Sequence, residues 1–450
     1  MSAPMYQDLT PVTHHFYPLQ KYSDPADPPY QHFLNTLRGP KPQATDNMIY
    51  LHIPYCEKRC TFCPFHVRVK RSPEVYERYV LALEKEIAAV SRYRYVREMT
   101  FTAVYFGGGS PSLLTVDQIR RLYDALRRSF DIAPDAEWTF EGEPAGLSDP
   151  ALLGYLGEQG TKRISYGIQT FDEELRQRLN IAATVQDALT TMERARAVGF
   201  QDVNVDMMYY LPGQTMADLE RDLTELAACD FDSVDYYYMS YYAMPKSAFL
   251  GMEKGTYPKK PPAELRMEMG RYVRERMVQL GYHQVTDHVF AKNPAGSHYY
   301  RILWGGGFGE HNAETLALGA SARGYLNGQS YANILAPDPY VEHIEQRDTL
   351  PLYKVSGLLD DARNRGMVFF PKFFQVPESR VPGDPNTRIL LDNLIEAGYA
   401  TLRDGLISLT EKGKDWIPNI TVDLFEHEQR MINDAWVADL DSHYSNRVTL

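Results

Sequence analysis

Three of the four cysteines of this 450-residue chain fall within eight residues, as Cys56-x3-Cys60-x2-Cys63. Thiolates gathered this closely suit a metal centre, and a closed iron–sulfur or zinc site takes four protein ligands. The loop offers three, which leaves one coordination position for something else. A structural zinc is the alternative, with His66 completing a Cys3His set. Cys229 stands alone in an apparently helical stretch and reads as a small buried hydrophobe. Four cysteines in a chain of this size make no disulfide framework.

The cysteine loop leaves a short apolar β-run over residues 48–53. Five more β-runs follow, over 101–106, 137–140, 163–168, 202–208 and 234–240, with amphipathic helical stretches between them, one opened by Ser72-Pro73 and others over 116–130 and 185–198. Such a series implies an α/β fold: a parallel (βα)6 sheet, partly closed into a barrel like that of triosephosphate isomerase, with functional residues at the C-terminal strand ends. The polar outliers fall there: the cysteine loop, Gly108, Glu141, Gln169, Asp206 and Tyr241. Gly, Ser and Pro in such places are ordinary turn residues. Turn chemistry does not call for Glu141 or Gln169, and an aspartate such as Asp206 inside an apolar strand needs a partner.

Beyond Pro262 the character changes. A helix over 263–280 and a strand-like 282–289 precede an aromatic, glycine-rich region over 299–331. From about Asp338 the pattern reads helix, helix, hairpin, with a helix over 386–397, strands over 399–402 and 406–409, and Thr410 as an N-cap. This winged-helix-like α+β domain is expected to cover the open barrel or a substrate. The expected divisions are an N-terminal extension (1–45), the barrel (46–290), a segment completing the cofactor site (291–337) and the C-terminal domain (338–450). Net charge −12 and a pI near 5.5 argue against a nucleic-acid partner held by phosphate neutralisation. The one basic cluster, Arg68-Val-Lys70-Arg71, reads as a solvated helix approach or a contact for an anionic group. The N-terminus lacks a signal-peptide pattern and no apolar run approaches ~18 residues, so a cytoplasmic protein without a membrane partner is expected.

Five motifs then occur in one order: Tyr50-x-His52-Ile-Pro-x-Cys56-x3-Cys60-x-Phe62-Cys63, Gly107-Gly-Gly-Ser-Pro, Glu141-x-x-Pro144, Arg163-Ile-Ser-x-Gly-Ile-Gln169-Thr-Phe, and Asn204-x-Asp206 leading to Leu211-Pro-Gly-Gln-Thr. From about Met48 to Leu409 the chain resembles radical S-adenosylmethionine enzymes. The resemblance is to the HemN-like branch, as in anaerobic coproporphyrinogen oxidase and its relatives. It implies a [4Fe-4S] cluster on Cys56, Cys60 and Cys63, as metal ligands and catalytic centre, with S-adenosylmethionine on the open iron. It further implies that Tyr50, Phe62, Gly108 and Glu141 line this first cofactor, and that Gly109, Ser110, Gln169 and Asp206 line a second S-adenosylmethionine. Open backbone N–H groups in residues 107–109 would suit the methionyl end. Tyr242 and Arg323 complete the cofactor-binding set, and a flavodoxin or ferredoxin would supply the electron.

The chain also departs from that pattern. Coproporphyrinogen oxidase looks like Cys-x-Phe-Cys-Gly-Cys at the loop, where this chain has Pro64 and Phe65, which disfavours that oxidative decarboxylation. Asn180-Ile181 stands where a pair ending in arginine is expected, and Tyr210 replaces a glycine. The tyrosine-rich stretch over 235–242, with Tyr209, Tyr210, Tyr299 and Tyr300, suits a planar small-molecule substrate, about half of these rings being expected in the core. The main expectation is radical methyl or methylene transfer, giving C-methylation or cyclopropanation of an sp2 carbon. The alternatives are tetrapyrrole chemistry, such as anaerobic haem ring opening, which Leu409-Thr-x-x-Gly-x-x-Trp416 would also fit, and a haem-trafficking relative.

Overall fold

A computed structural model of the chain describes residues 5–10, 14–69, 71–241, 244–303, 313–359 and 363–448, with backbone alone for 363–364 and 440–448. All six expected strands form: β1 (Asp46–Ile53), β2 (Thr100–Gly108), β3 (Asp131–Glu141), β4 (Arg163–Gln169), β5 (Asp202–Tyr209) and β6 (Ser233–Tyr238). They lie side by side in sequence order and every neighbouring pair is parallel. Their near-continuous apolar residues are what a sheet buried on both faces requires.

The crossover helices are α1 (Pro73–Val90), α2 (Val116–Ser129), α3 (Pro150–Glu158), α4 (Val185–Val198) and α5 (Met216–Cys229). Three of them start on reciprocal capping boxes: Thr115 with Gln118, Thr184 with Asp187, and Thr215 with Asp218. Each box satisfies two orphan backbone donors at once and pins the loop that enters the helix. Those loops leave the C-terminal strand ends, where the site residues sit. Helix α1 instead has Pro73 in its first turn and no side-chain cap from Ser72. Cys229 is buried at the end of α5, as expected of it.

The sheet does not stop at six strands. Beyond β6 it continues antiparallel through β7 (Val289–Ala291) to His283–Gln284, so the run expected as one strand over 282–289 is a short hairpin. On the other side β8 (Ala313–Leu318) pairs parallel with β1, from Ala313 against Asp46 to Leu318 against Leu51. Antiparallel β9 (Arg323–Leu326), β10 (Gln329–Asn333) and β11 (Leu352–Val355) extend it to Lys21–Tyr22. Among the described residues the result is one 13-stranded sheet that runs from Lys21–Tyr22 to His283–Gln284.

The C-terminal lobe carries α6 (Arg363–Phe373), α7 (Pro385–Glu396) and the hairpin β12 (Ala400–Arg403) with β13 (Leu406–Leu409). Thr410 caps the next turn by accepting from the Gly413 N–H. Phe369, Leu394 and Ile407 of this lobe share one apolar cluster with Met48, Ala103, Tyr105 and Tyr299, so the lobe packs against the sheet. A buried ion pair, Lys372 Nζ to Asp287 Oδ2 at 3.0 Å, ties the same two parts together.

Candidate active site

Just past β1, Tyr55–Cys56 pairs with Arg68–Val69, so the chain from Cys56 to Val69 closes on itself as a loop. Inside it the Cys63 N–H donates to the Cys60 carbonyl at 3.2 Å, a tight turn that brings the second and third cysteines together. The loop is anchored from outside by Thr61 N–H to the Leu179 carbonyl (3.0 Å) and by Asn180 Nδ2 to the Arg59 carbonyl (2.8 Å). Asn180, the neighbour of Ile181 where a charged contact was expected to be lost, is thus a clamp on the cysteine loop. Phe62 is half-buried against the main core.

All three thiols are partly buried. Burial pushes the Cys56 thiol well up, and Glu143, Cys63 and Cys60 add to it. The Cys60 thiol is pushed up to about 12, by burial first and by Cys63 and Glu143 next, with Arg176 opposing. Cys63 also shifts upward through burial. Three mutually repelling thiols of this kind become thiolates only when a cationic centre takes them up. Among the described residues no three His, Cys, Asp or Glu side chains, the three cysteines included, are grouped closely enough to hold a single metal ion.

The surroundings fit a cofactor of the expected kind. An added Cβ at Gly109 would stand 2.9 Å from Cys56 Sγ and 2.5 Å from the Tyr55 carbonyl oxygen; at Gly107 it would stand 2.7 Å from Glu141 Oε2. Gly108, at φ +115°, would place one 2.8 Å from the His52 ring. The triplet is therefore glycine for close approach to the cysteine loop, His52 and Glu141. The expectation of open N–H groups fails at Gly109, whose N–H donates to the Ile53 carbonyl at 2.8 Å. His52 is buried, its Nδ1 bonded to the Tyr50 hydroxyl at 2.9 Å, while its Nε2 has no protein partner. Burial, with Arg323 and His66 adding, lowers its pKa to about 3 and keeps the imidazole neutral. A neutral, buried, unsatisfied ring nitrogen against Gly108 calls for a bound group.

The strand ends place the remaining residues. Glu141 closes β3, its Oε2 accepting from the Tyr105 hydroxyl at 2.8 Å. Burial raises its pKa to about 7, against the pull of Tyr105 and Arg163. Gln169 ends β4 at φ +70°, next to a register shift between Gly167 and Gln169. Its amide folds back over Gly167, and a side chain there would collide with it. Asp206 stands beside Asp235 in register on β6 and takes a hydrogen bond from Asn204 Nδ2 at 3.2 Å. Its pKa is pushed well up by burial first, then by Asp235 and Glu141. Ser110 is fully buried, its hydroxyl accepting from the Glu143 N–H (2.8 Å) and paired with Ser112 (2.9 Å), so it braces the turn. Arg323 opens β9, half-buried over the Phe16 ring at 5.3 Å. Tyr242 lies outside the described residues. Tyr241 is buried and donates to the Tyr210 carbonyl, a structural tie.

The sequence reading missed the charge network beneath these residues. Arg163, buried within β4, pairs with Asp202 at 3.1 Å and donates to the Tyr300 hydroxyl at 3.0 Å, which donates to Asp235 Oδ1 at 2.5 Å. Arg163 acts on both Glu141 and Asp206. An arginine inside an otherwise apolar strand was the available signal. Arg176 was missed too: it is buried, donates to the Ile168, Thr170 and Ala183 carbonyls, and acts on Cys60. Tyr299 and Tyr300, two of the tyrosines expected to divide between core and pocket, are buried against each other with centroids 4.0 Å apart.

Comparison with known proteins agrees with this arrangement. The family described as the radical SAM superfamily matches residues 50–226. The heme chaperone HemW of Bacillus subtilis is 32% identical over 300 residues, covering 66% of this chain and 76% of its own. Anaerobilin synthase of Escherichia coli O157:H7 is 28% identical over 306 residues, covering 68% and 65%. Among solved structures, coproporphyrinogen III oxidase (HemN) from Escherichia coli aligns over 88% of this chain and 93% of its own with a TM-score of 0.75 at 24% identity, a match of fold. With its cysteine loop, parallel sheet and strand-end residues in place, the chain belongs to the radical SAM superfamily, in the branch that holds HemN and HemW.

Proposed function

We propose that the chain is a radical S-adenosylmethionine protein whose second partner is a tetrapyrrole. The observation that carries this reading is the 32% identity to a heme chaperone, joined by similarity to an anaerobilin synthase. Cys56, Cys60 and Cys63 would hold a [4Fe-4S] cluster, and Tyr50, Phe62, Gly108 and Glu141 would hold S-adenosylmethionine. Bound there, the cluster supplies the electron for reductive cleavage of the sulfonium.

The protein's own residues prepare that site. Gly107, Gly108 and Gly109 let Glu141, His52 and the cysteine loop close in on the strand end, where any side chain would collide with them. The Glu141 carboxyl, near neutrality and held by Tyr105, suits ribose hydroxyls by charge-assisted hydrogen bonding. Arg163 compensates part of the negative charge of Glu141, Asp206 and Asp235, which lowers the cost of burying these carboxyls together.

Methyl or methylene transfer stays as a second reading on one observation: Gln169, at the end of β4, and Asp206, in the neighbouring β5 level with Gly167, are the residues that would line a second S-adenosylmethionine. One experiment separates the readings. The anaerobically reconstituted protein is given haem, methyl-labelled S-adenosylmethionine and a low-potential reductant. A stable shifted Soret band without cofactor consumption marks a haem carrier, and loss of the band with formation of 5′-deoxyadenosine marks tetrapyrrole chemistry. An unperturbed haem spectrum, with the methyl label found on an added alkene, would overturn the tetrapyrrole reading.

A further inference from the structure

The outer surface of the cysteine loop is left unused by the site as described. Between Cys56 and Ser72 the chain has five lysines and arginines and one acidic residue, Glu57, whereas the whole chain carries a net charge of −12. Lys58, Arg59, Arg68 and Arg71 are all exposed, and none of the four is in a salt bridge among the described residues. Amid these cations sit two of the molecule's few large apolar side chains in water, Phe65 at 55% and Val69 at 47% exposure.

Position gives this patch its meaning. Val69 is paired directly with Cys56 in the two-stranded ladder, and Phe65 lies two residues beyond Cys63. Paired strands run about 5 Å apart. A body seated on Phe65 and Val69 therefore rests on the loop that carries the thiolates, with no layer of protein between.

We propose that this patch is the docking surface for an acidic electron-donor protein, one that carries a flavin or iron–sulfur centre near its own surface. The charge reversal steers an anionic partner to this loop on a chain that repels it elsewhere. Phe65 and Val69 provide the desolvated contact at the centre, ringed by cations, in the pattern of a small transient interface. The partner's electron enters through the shortest part of the protein, is lost by the reduced donor and is gained by the cluster.

The inference rests on the cluster reading, and the test keeps the two apart. Iron and sulfide are measured in each reconstituted chain first; their absence from the wild type sinks the cluster reading by itself. Cluster reduction is then followed by stopped-flow absorbance with two reductants, flavodoxin hydroquinone and photoreduced deazaflavin, a small neutral donor. In Arg59→Glu/Arg68→Glu and in Lys58→Glu/Arg59→Glu, reduction by flavodoxin at low ionic strength is expected to slow by about tenfold or more. The deazaflavin rate is expected to match the wild type, and the difference between chains to shrink as salt is raised. Phe65→Ser is expected to slow the flavodoxin reaction at every salt concentration. Arg403→Glu in the C-terminal lobe should leave both rates unchanged. Equal flavodoxin rates in the wild type and the loop variants, or an equal slowing with deazaflavin, would overturn the docking surface.

Discussion

Gly109 shows how a single residue carries the site. Its missing side chain leaves the Tyr55 carbonyl and Cys56 Sγ in close approach, while its N–H serves the Ile53 carbonyl. Replacing it with alanine would push a methyl into a backbone oxygen that cannot yield without moving Cys56. Overpacking of this sort costs about 1–3 kcal/mol. Gly109→Ala is expected to lose most of its reconstituted iron and to melt earlier. Gly154→Ala, in a helix with nothing within 4 Å of the new methyl, is the matched control and should keep both. The residue types at this scale were readable in the chain: the cysteine spacing, Glu141 at a strand end, the aspartate in an apolar strand. What local patterns do not contain is the partner of each. That Ser110 braces a turn, that Asn180 holds the Arg59 carbonyl, and that Arg163 bridges Asp202 and Tyr300 are contacts across 33 to 137 residues of sequence.

At the scale of elements, α1 and the segment from β8 to β10 are joined by buried polar contacts that fix the wall of the site. Glu86 on α1 accepts from the Gly319 N–H (2.8 Å), Asn333 Nδ2 (2.7 Å) and the Tyr340 hydroxyl (2.5 Å). Tyr79, two turns earlier, donates to the His52 carbonyl and accepts from the Ala320 N–H. Together they hold the turn before Arg323 against the strand that leads to the cysteines. Burial raises the Glu86 pKa from 4.5 to about 7, although all three donors favour the charged form. The native state thus binds this proton more tightly than the unfolded chain. Its contribution to stability is full below about pH 4.5 and is lost as pH rises through 7, about 3 kcal/mol in all. Urea unfolding of the wild type and Glu86→Gln at pH 5 and pH 8 checks this: the wild type should lose more stability over that interval than the variant, and equal losses would refute it.

The β8 strand marks the limit of element-level reading. Residues 313–318 are as strand-like as β1, yet local pattern assigned them to an aromatic, glycine-rich segment, because only the pairing with β1 reveals them as a seventh parallel strand. The six strands were legible because each is an apolar run and amphipathic helices separate them, three of these opening on a Thr-led capping box. The antiparallel extension was not, since its strands are short and take their register from partners far along the chain.

For the whole molecule, the C-terminal lobe and the N-terminal segment share one arrangement over the sheet. Tyr6 stacks on Trp416 and donates to Asp423, and His14 is bonded to Asn433, so both residues lie against the C-terminal lobe. Arg323 meets Phe16 from the same N-terminal segment. Among the described residues no helix is long and apolar enough to cross a membrane. The winged-helix-like pattern was legible from the hairpin and its Thr410 cap, and its docking on the sheet through Phe369, Leu394 and Ile407 was expected only as a cover for the barrel.

The account turns on three thiolates holding a cluster with one iron left open for S-adenosylmethionine. Electron paramagnetic resonance of the anaerobically reconstituted, reduced protein, recorded with and without S-adenosylmethionine, tests it most directly. The expected result is about four irons and four sulfides per chain, with a reduced-cluster signal that shifts when S-adenosylmethionine is added and is lost in Cys56→Ala, Cys60→Ala and Cys63→Ala. A zinc-only protein, or a cluster signal indifferent to S-adenosylmethionine, would contradict it.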